Sequence, residues 1–487
     1  MAEKGANSSA QSGEEFYNDG QYNGPGILVG RAGRTVIMPD QPLPEYDSPT
    51  ALAYHCVSRA DSNRSLIAMI CAPKFPARYD ILTHMRGNIS GVLRVADWGL
   101  AQFPGEDGPR LVIVMDRPGG PRVMANLTSK NAPISEENLV NFFLMPALMS
   151  LKELGARNVS HRGIRPTNIF YTDPSRRMMM LGDCVTSPPA YNQPDSFETI
   201  ESAMCSPIGR GSGGISEDLY SLGVTMLSLL LGYDPMGERS QETLLEQKIE
   251  MGSYTALVGQ ARVPIGVMEA LRGLLNDTVR ERWTLNDLEM WIDGRRLSPR
   301  QPKMPHHSAR PFNFIGRDYS TARGLSMALA THFDQAPMAI RTKILDGWVR
   351  RSLGDEIRAN ALQSALSATA NNATGRNSED RLVARVCIAL DPEAPIRFRG
   401  FGVNVDGLAY ALSASTDNAD LRRILTEIIH ARLAVAWVGL QERPMGEALR
   451  LAQMLDRMPQ IIDNVQPGFG MERVLYELSQ AEPCHSP

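Results

Sequence analysis

Lysine is nearly absent from this chain: seven residues against 43 arginines, together the 50 basic residues of a 487-residue sequence. An arginine where another protein would carry lysine is therefore weak information here. Cysteine is scarce as well. The six (Cys56, Cys71, Cys184, Cys205, Cys387 and Cys484) show neither Cys-x-x-Cys nor Cys/His ligand spacing, which argues against a disulfide framework or a zinc ribbon. Free thiols in a reducing compartment fit better. A net charge of −4 supplies no global attraction to nucleic acid or to an anionic membrane. Long apolar runs are missing: the most apolar stretch, Leu219 to Leu231, is too short to cross a bilayer and carries Ser221 and Ser228. Met1 to Glu15 is polar and contains no apolar leader. The expectation is a cytoplasmic protein without a membrane partner.

What is present is a globular composition, 43% hydrophobic and 21% charged, on a chain long enough for two to four domains. Residues 1–24 are rich in Gly, Ser, Asn and acid and read as disordered. Strand-like stretches then follow at Ile27 to Ile37, Ala51 to Val57, Ser65 to Cys71, Val92 to Trp98 and Leu111 to Met115. Beyond Asp116 the period turns helical. Ser135 is placed to cap a helix from Glu136 to about Leu154, kinked at Pro146. Asn168 to Thr172 and Met178 to Leu181 read as a hairpin around Asp173-Pro174-Ser175. Asp218 to Leu231 is apolar on nearly every face and should be buried.

Further helices are expected over Gln241 to Met251, Gly266 to Leu275 and Thr284 to Ile292. Residues 296–310 read as a basic, Pro-containing linker, a solvated connector more than a nucleic-acid or lipid surface. Residues 311–487 read as a mostly helical unit with its best amphipathic stretches at Arg341 to Ser352, Leu421 to Leu440, Gly446 to Met458 and Gly470 to Ser479. The chain stops at Pro483-Cys484-His485-Ser486-Pro487 without an obvious cap, which allows a longer parent protein.

The most telling segment is His161-Arg162-Gly163-Ile164-Arg165-Pro166-Thr167-Asn168, followed by the hairpin and by Leu181-Gly182-Asp183-Cys184. Leu111 to Gly120 precedes it; Asp218-Leu-Tyr-Ser-Leu-Gly223 and Arg282-Trp283-Thr284 follow. In this order and spacing the segments resemble a protein kinase, over roughly residues 50–295 of an expected kinase-like domain spanning 25–295, and specifically a bacterial pseudokinase of the serine/threonine type. The resemblance implies an α+β, bilobal protein-kinase-like fold with a five-stranded small lobe. It implies a gatekeeper at Met115, a hinge opening at Asp116 and Arg117, metal ligands at Asn168 and Asp183, and structural roles for His161, Asp218 and Arg282. Asp218 would accept hydrogen bonds from the catalytic-loop backbone.

The departures bear on chemistry. Gly163 stands where the family has its general-base Asp, and loss of a positioned base costs about two to four orders of magnitude in rate. Pro39 to Thr50, at the place of the glycine-rich phosphate loop, holds four prolines, three acids and no glycine. The phosphate-holding lysine of the third strand reads as Ile70, and its glutamate partner falls near Arg78. Arg165 replaces the catalytic-loop lysine, an uninformative change in this arginine-rich chain. Cys184-Val185 replaces Phe-Gly, and Ile208 replaces the glutamate that closes the activation segment. Gly209 to Gly214 has no preceding strand and no following Lys-Ser/Thr, so it reads as a flexible activation segment and not a phosphate loop. Arg162 could anchor a phosphate on that segment, yet Ser187 to Gly214 offers no persuasive acceptor.

The reading is a pseudokinase, a scaffold or regulator binding ATP and Mg²⁺ weakly or not at all, with a protein partner engaged through the lobes or the helical unit. The alternative is an ATP-dependent group transferase, a serine/threonine kinase or nucleotidyl transferase. There Asn168 and Asp183 would hold metal, and Met115, Asp116, Arg117 and Arg165 would line the nucleotide, with Lys74 or Arg165 on the phosphates.

Overall fold

The computed structural model describes residues 27–29, 34–103, 108–295, 304–370, 378–416, 418–441 and 453–460. The expected disorder of residues 1–24, residues 105–107 of the turn after Ala101, most of the linker and the Gly470 to Ser479 helix lie outside them.

The small lobe is an antiparallel sheet of six strands in the order β1-β2-β3-β4-β6-β5. These are β1 (Ile27–Val29), β2 (Thr35–Pro42), β3 (Ala51–Ser58), β4 (Leu66–Cys71), β5 (Val95–Ala101) and β6 (Arg110–Asp116). Four of the five expected strands are there as single strands, while the expected Ile27 to Ile37 stretch holds two, β1 and the start of β2, paired antiparallel with β1 at the sheet edge. All six residues of β4 are buried, as befits a central strand covered on both faces. Ile67, Met69 and Cys71 face the core shared with the large lobe, while Ala68 and Ile70 join Val112 and Val114 on the outer face. The sequence expectation is corrected here: Ile70 points away from the cleft, and Met69, paired with Ile113, is the cleft-facing residue. Neither face of β4 carries a lysine.

The large lobe begins with a helix over Glu136–Ala156. Ser135 Oγ accepts the Asn138 N–H at 3.3 Å, the expected cap. Pro146 has no N–H to give the carbonyl four residues back, and a widened π-helical turn, Val140–Leu144, absorbs the mismatch. This helix alone among the described residues is long and apolar enough to cross a membrane, but Leu139, Phe143, Leu144, Leu148, Leu151 and Leu154 are buried in the protein core. Strands β7 (Ile169–Tyr171) and β8 (Met179–Leu181) form the expected hairpin. The helix Ile215–Leu231 is buried continuously from Asp218 to Leu229. Gln241–Met251, Ile265–Leu274 and Leu285–Ile292 complete the lobe.

Beyond the linker a second hydrophobic core gathers residues from Phe312 to Met458. Its helices include Ala322–Thr331, Glu356–Ala370, Ser378–Leu390 and Ala419–His430. Two hairpins that periodicity did not reveal complete it: β9 (Phe312–Phe314) with β10 (Arg317–Tyr319), and β11 (Ile396–Phe398) with β12 (Phe401–Val403). The expected Leu421 to Leu440 helix breaks at Arg432, whose φ of 53° is left-handed. Ile208 of the kinase-like region is buried in this second core, and Phe75 and Tyr191 pack against it.

Candidate functional site

The loop His161–Asn168 is held from below. Asp218, buried at the start of its helix, accepts the backbone N–H of His161 at 2.6 Å and of Arg162 at 2.7 Å. These bonds fix Arg162 at φ 57°, a left-handed conformation costing roughly 1–2 kcal/mol for a residue with a Cβ. Burial pushes the Asp218 carboxyl up to about 6 even though both N–H donors favour its charged form. His161 is fully enclosed, its Nε2 3.3 Å from the Gly182 carbonyl, and burial holds its imidazole down at about 3.

Two arginines stitch the loop to its neighbours. Arg162 forms a buried ion pair with Glu198 at 2.9 Å, the two side chains 1% and 0% exposed, and donates to Ser202 Oγ at 2.9 Å. The anion that a phosphate would supply is thus built into the activation segment. Arg78, just before the short helix Tyr79–Met85, sends its guanidinium to the carbonyls of Ser160 (2.8 Å), His161 (3.3 Å) and Cys184 (3.3 Å). A cation therefore joins the small lobe to the catalytic loop where the family uses a glutamate.

The two candidate metal ligands lie together, but each is engaged by the chain. Asn168 Nδ2 donates to the carbonyls of Gly163 (2.9 Å) and Asp183 (2.7 Å), and its Oδ1 accepts the Asp183 N–H at 3.2 Å. The Asp183 carboxylate caps the following turn, taking the N–H groups of Val185 (2.9 Å) and Thr186 (3.2 Å) and the Thr186 hydroxyl. A Cβ at Gly163 would lie 3.2 Å from Asn168 Nδ2 and 3.3 Å from the Asp183 carbonyl. The loop has closed around the missing side chain. Ser187 to Asn192 fold over it, leaving a cavity of about 20 Å³, about the room one water needs.

The nucleotide candidates are not gathered around an open seat. Met115 is buried in the core and Asp116 is ion-paired to Arg64 at 2.6 Å. Arg117 lies 5.3 Å over the ring of Tyr46 and 3.4 Å from Glu45. Tyr46 comes from the loop between β2 and β3, is 9% exposed, and stacks at 5.8 Å on Phe170 of β7. Its ring thus fills the space between hinge and catalytic-loop hairpin where the resemblance puts adenine. Arg122 straps the same gap. Its guanidinium donates to the carbonyls of Glu45 (2.9 Å), Asp47 (2.7 Å) and Thr167, and lies 4.8 Å over Phe170. Arg165 bonds Thr167 Oγ1 (3.1 Å) and Gln193 Oε1 (3.2 Å). An aromatic in a loop that should be glycine was a readable warning; nothing in the sequence marked Arg122 or Glu198.

The segment Ser206–Gly213 is pinned at both ends and buried from Ile208 to Ser212, which corrects the expectation of a flexible loop. The Ser206 N–H donates to the Gly402 carbonyl (2.9 Å), Asn404 N–H to the Gly209 carbonyl (2.9 Å), and Gly213 N–H to Asp406 Oδ2 (2.8 Å). A Cβ on Gly209 would fall 2.5 Å from the Gly402 carbonyl oxygen, so a glycine is required at this approach. Ile208 buries itself in the second core and leaves Arg282 to bond the Asn276 carbonyl (2.8 Å) and Ser216 Oγ (3.0 Å). Asn404 Nδ2 also donates to the Arg210 carbonyl at 3.0 Å. Asn404→Ala should cost about 1 kcal/mol. Amide exchange measured by mass spectrometry should quicken over residues 206–213 and stay unchanged in β4; equal protection would mean that this bond does not hold the segment.

No protein-family model matches the chain. It is 26% identical over 169 residues to a probable serine/threonine-protein kinase of Dictyostelium discoideum, covering 34% of this chain and 35% of the relative. It is 22% identical over 248 residues to MAP kinase-activated protein kinase 2 of rabbit and of human, covering 48% of this chain and 66% and 60% of those proteins. The chain thus spans about a third to two thirds of the length of these relatives. Among solved structures, Rad53 residues 1–466 in complex with AMP-PNP gives a TM-score of 0.42 at 16% identity, over 53% of this chain and 66% of that one. The autoinhibited serine kinase domain of titin gives 0.39 at 15% identity, over 55% and 84%. The sheet order, the Asp218 anchor and the loop–hairpin succession, more than these scores, define the fold. By those features and by the kinases it resembles in sequence, the chain is protein-kinase-like, with a helical unit attached.

Proposed function

We propose that the protein is a catalytically silent kinase-like scaffold that does not use Mg²⁺-ATP. The observation that carries this reading is Tyr46, whose ring is stacked on Phe170 beneath the hinge and strapped in by Arg122. The residues present do not fit a triphosphate: the loop above the seat has no glycine, β4 has no lysine, and Asn168 and Asp183 are engaged with backbone. With Gly163 in the general-base position, a bound substrate hydroxyl would also find no proton acceptor there. What the lobes and the helical unit offer instead is surface for a protein partner.

Melting the full chain with and without Mg²⁺-ATP tests the reading by linkage. The wild type should show no shift. In Tyr46→Ala, which vacates the seat, adenosine should raise the melting temperature. A wild-type shift with Mg²⁺-ATP that Asp183→Ala abolishes would overturn the proposal and restore the ATP-using transferase, with Asn168 and Asp183 on the metal.

A further inference from the structure

A cavity of about 1030 Å³ is an open groove in front of the closed adenine seat, between the loop Pro44–Pro49, the segment after the hinge and the turn of the β7–β8 hairpin. Three arginines line it: Arg122, Arg165 and Arg176. Two of these guanidinium groups converge on one residue, Arg165 through Thr167 Oγ1 and Arg122 through the Thr167 carbonyl. Arg165 is only 8% exposed, and among the described residues no carboxylate lies at ion-pair distance from it or from Arg122.

Two cations side by side on neutral partners are electrostatically unfavourable without an anion between them. Elsewhere in this chain two buried arginines have acids, Arg162 with Glu198 and Arg210 with Asp195, while Arg78 rests on three backbone carbonyls. Asp183 acts electrostatically on both guanidinium groups and Asp47 on Arg122, neither at ion-pair distance; of the two acids lining the groove, Glu45 pairs with Arg117 at 3.4 Å, and Asp47 Oδ1 accepts the Ala53 N–H at 2.7 Å.

We propose that this groove binds a phosphate monoester dianion, held between Arg165 and Arg122 on its floor with Arg176 at its rim. The assignment rests on the reading that the adenine seat is closed, so the phosphate arrives without a nucleotide base. Guanidinium forks match phosphate oxygens with parallel charge-assisted hydrogen bonds, and Arg165, although burial and the neighbouring Arg122 lower it to about 10, stays cationic at neutral pH. The groove is open and long enough for the phosphate to come on a small molecule or on a side chain of an extended peptide. Prolines 44, 49, 174 and 194 and Gly119–Gly120 form much of its walls, with Ser48, Asn126 and Asn192 as neutral polar groups among them.

Calorimetric titration of the full chain decides it, with inorganic phosphate, glycerol phosphate and a phosphothreonine peptide as the three probes. Phosphate should bind, and Arg165→Met should weaken it about 10- to 100-fold while Arg165→Lys recovers part of the loss. Arg176→Ala, at an exposed turn where folding is not at risk, should weaken it by a few-fold. Tighter binding of the peptide than of glycerol phosphate identifies a phosphorylated chain as the source, and the reverse order a small metabolite. Absence of binding by all three probes to folded wild type overturns the assignment, as does an affinity unmoved by both Arg165→Met and Arg176→Ala. Adenosine, which carries no phosphate, serves as the separate check: its binding to wild type would defeat the closed-seat reading and leave the phosphate result standing.

Discussion

Glu198→Gln is expected to lower the unfolding free energy by about 3–5 kcal/mol, because it removes one partner of a fully buried ion pair and leaves the other uncompensated. Arg162 cannot reach water, and its nearby acids are already engaged. Asp218 takes two loop N–H groups, Glu217 the Gly214 N–H at 2.7 Å, and Asp406 the Gly213 N–H. Their charges still favour the guanidinium at a distance, which puts the loss near the lower end of the range. Urea denaturation reads it as a lower midpoint at unchanged slope. The paired replacement Arg162→Met with Glu198→Met removes both charges and should cost less than Glu198→Gln alone. Should Glu198→Gln cost under 1 kcal/mol, the pair does not anchor the segment, and an added phosphate regains a plausible role at Arg162.

The pair also bears on regulation. A segment whose arginine already holds a carboxylate, and whose far end is bonded to β12, has no need of a phosphate to order it. The activation segment is fixed from both sides: by Glu198 within the kinase-like lobe and by Gly402, Asn404 and Asp406 from the helical unit. The face that the segment would present to other proteins is therefore partly covered by the chain's own second core.

Much of the fold was legible because the residues that specify it act locally or at fixed spacing. Ser135 announced a cap, Asp173-Pro174-Ser175 a turn, and the unbroken apolar run after Asp218 a buried helix. Asp218 itself was placed through a motif whose register the buried helix preserves. The errors came where tertiary contact decides. Ile70 was read by matching letters along β4, but a strand alternates faces, and a one-residue slip in that match turns a cleft residue into an outward one. Gly209 to Gly214 read as flexible because glycine is permissive. Here the glycines serve close approach, with Gly402 and Gly407 of the second core packed against Gly209. Tyr46, Arg122 and Glu198 are separated by up to 124 residues from what they touch, and no local pattern encodes such pairings. The β11–β12 hairpin has three residues per strand, all buried, and shows no alternation to detect.

The second large effect is a hidden pH balance between His161 and Asp218. The imidazole, near 6.5 when exposed, is held at about 3 in the folded protein, so its contribution is fully present above pH 6.5 and is lost as the pH falls toward 3. The Asp218 carboxyl moves the other way, from 3.8 to about 6, so its contribution is greatest below 3.8 and is lost as the pH rises through 6. Between pH 4 and 6 the unfolded chain binds one proton more at the histidine and one fewer at the aspartate, and the two slopes cancel. Removing either group should expose the other. Asp218→Asn is expected to lose about 2–3 kcal/mol more than wild type on acidification from pH 6 to 4, at roughly 1.4 kcal/mol per unit of pH. His161→Gln should gain by a similar amount over the same interval. Burial raises Asp195, Asp234, Asp277 and Asp406 as well, but they act equally in all three proteins, so the differences between variants isolate the pair. Urea unfolding at half-unit steps measures the slopes, whatever the intercepts. Parallel slopes for wild type and Asp218→Asn would mean that the carboxyl keeps one protonation state across the window, and the anchor beneath the catalytic loop would then be a permanently charged acceptor.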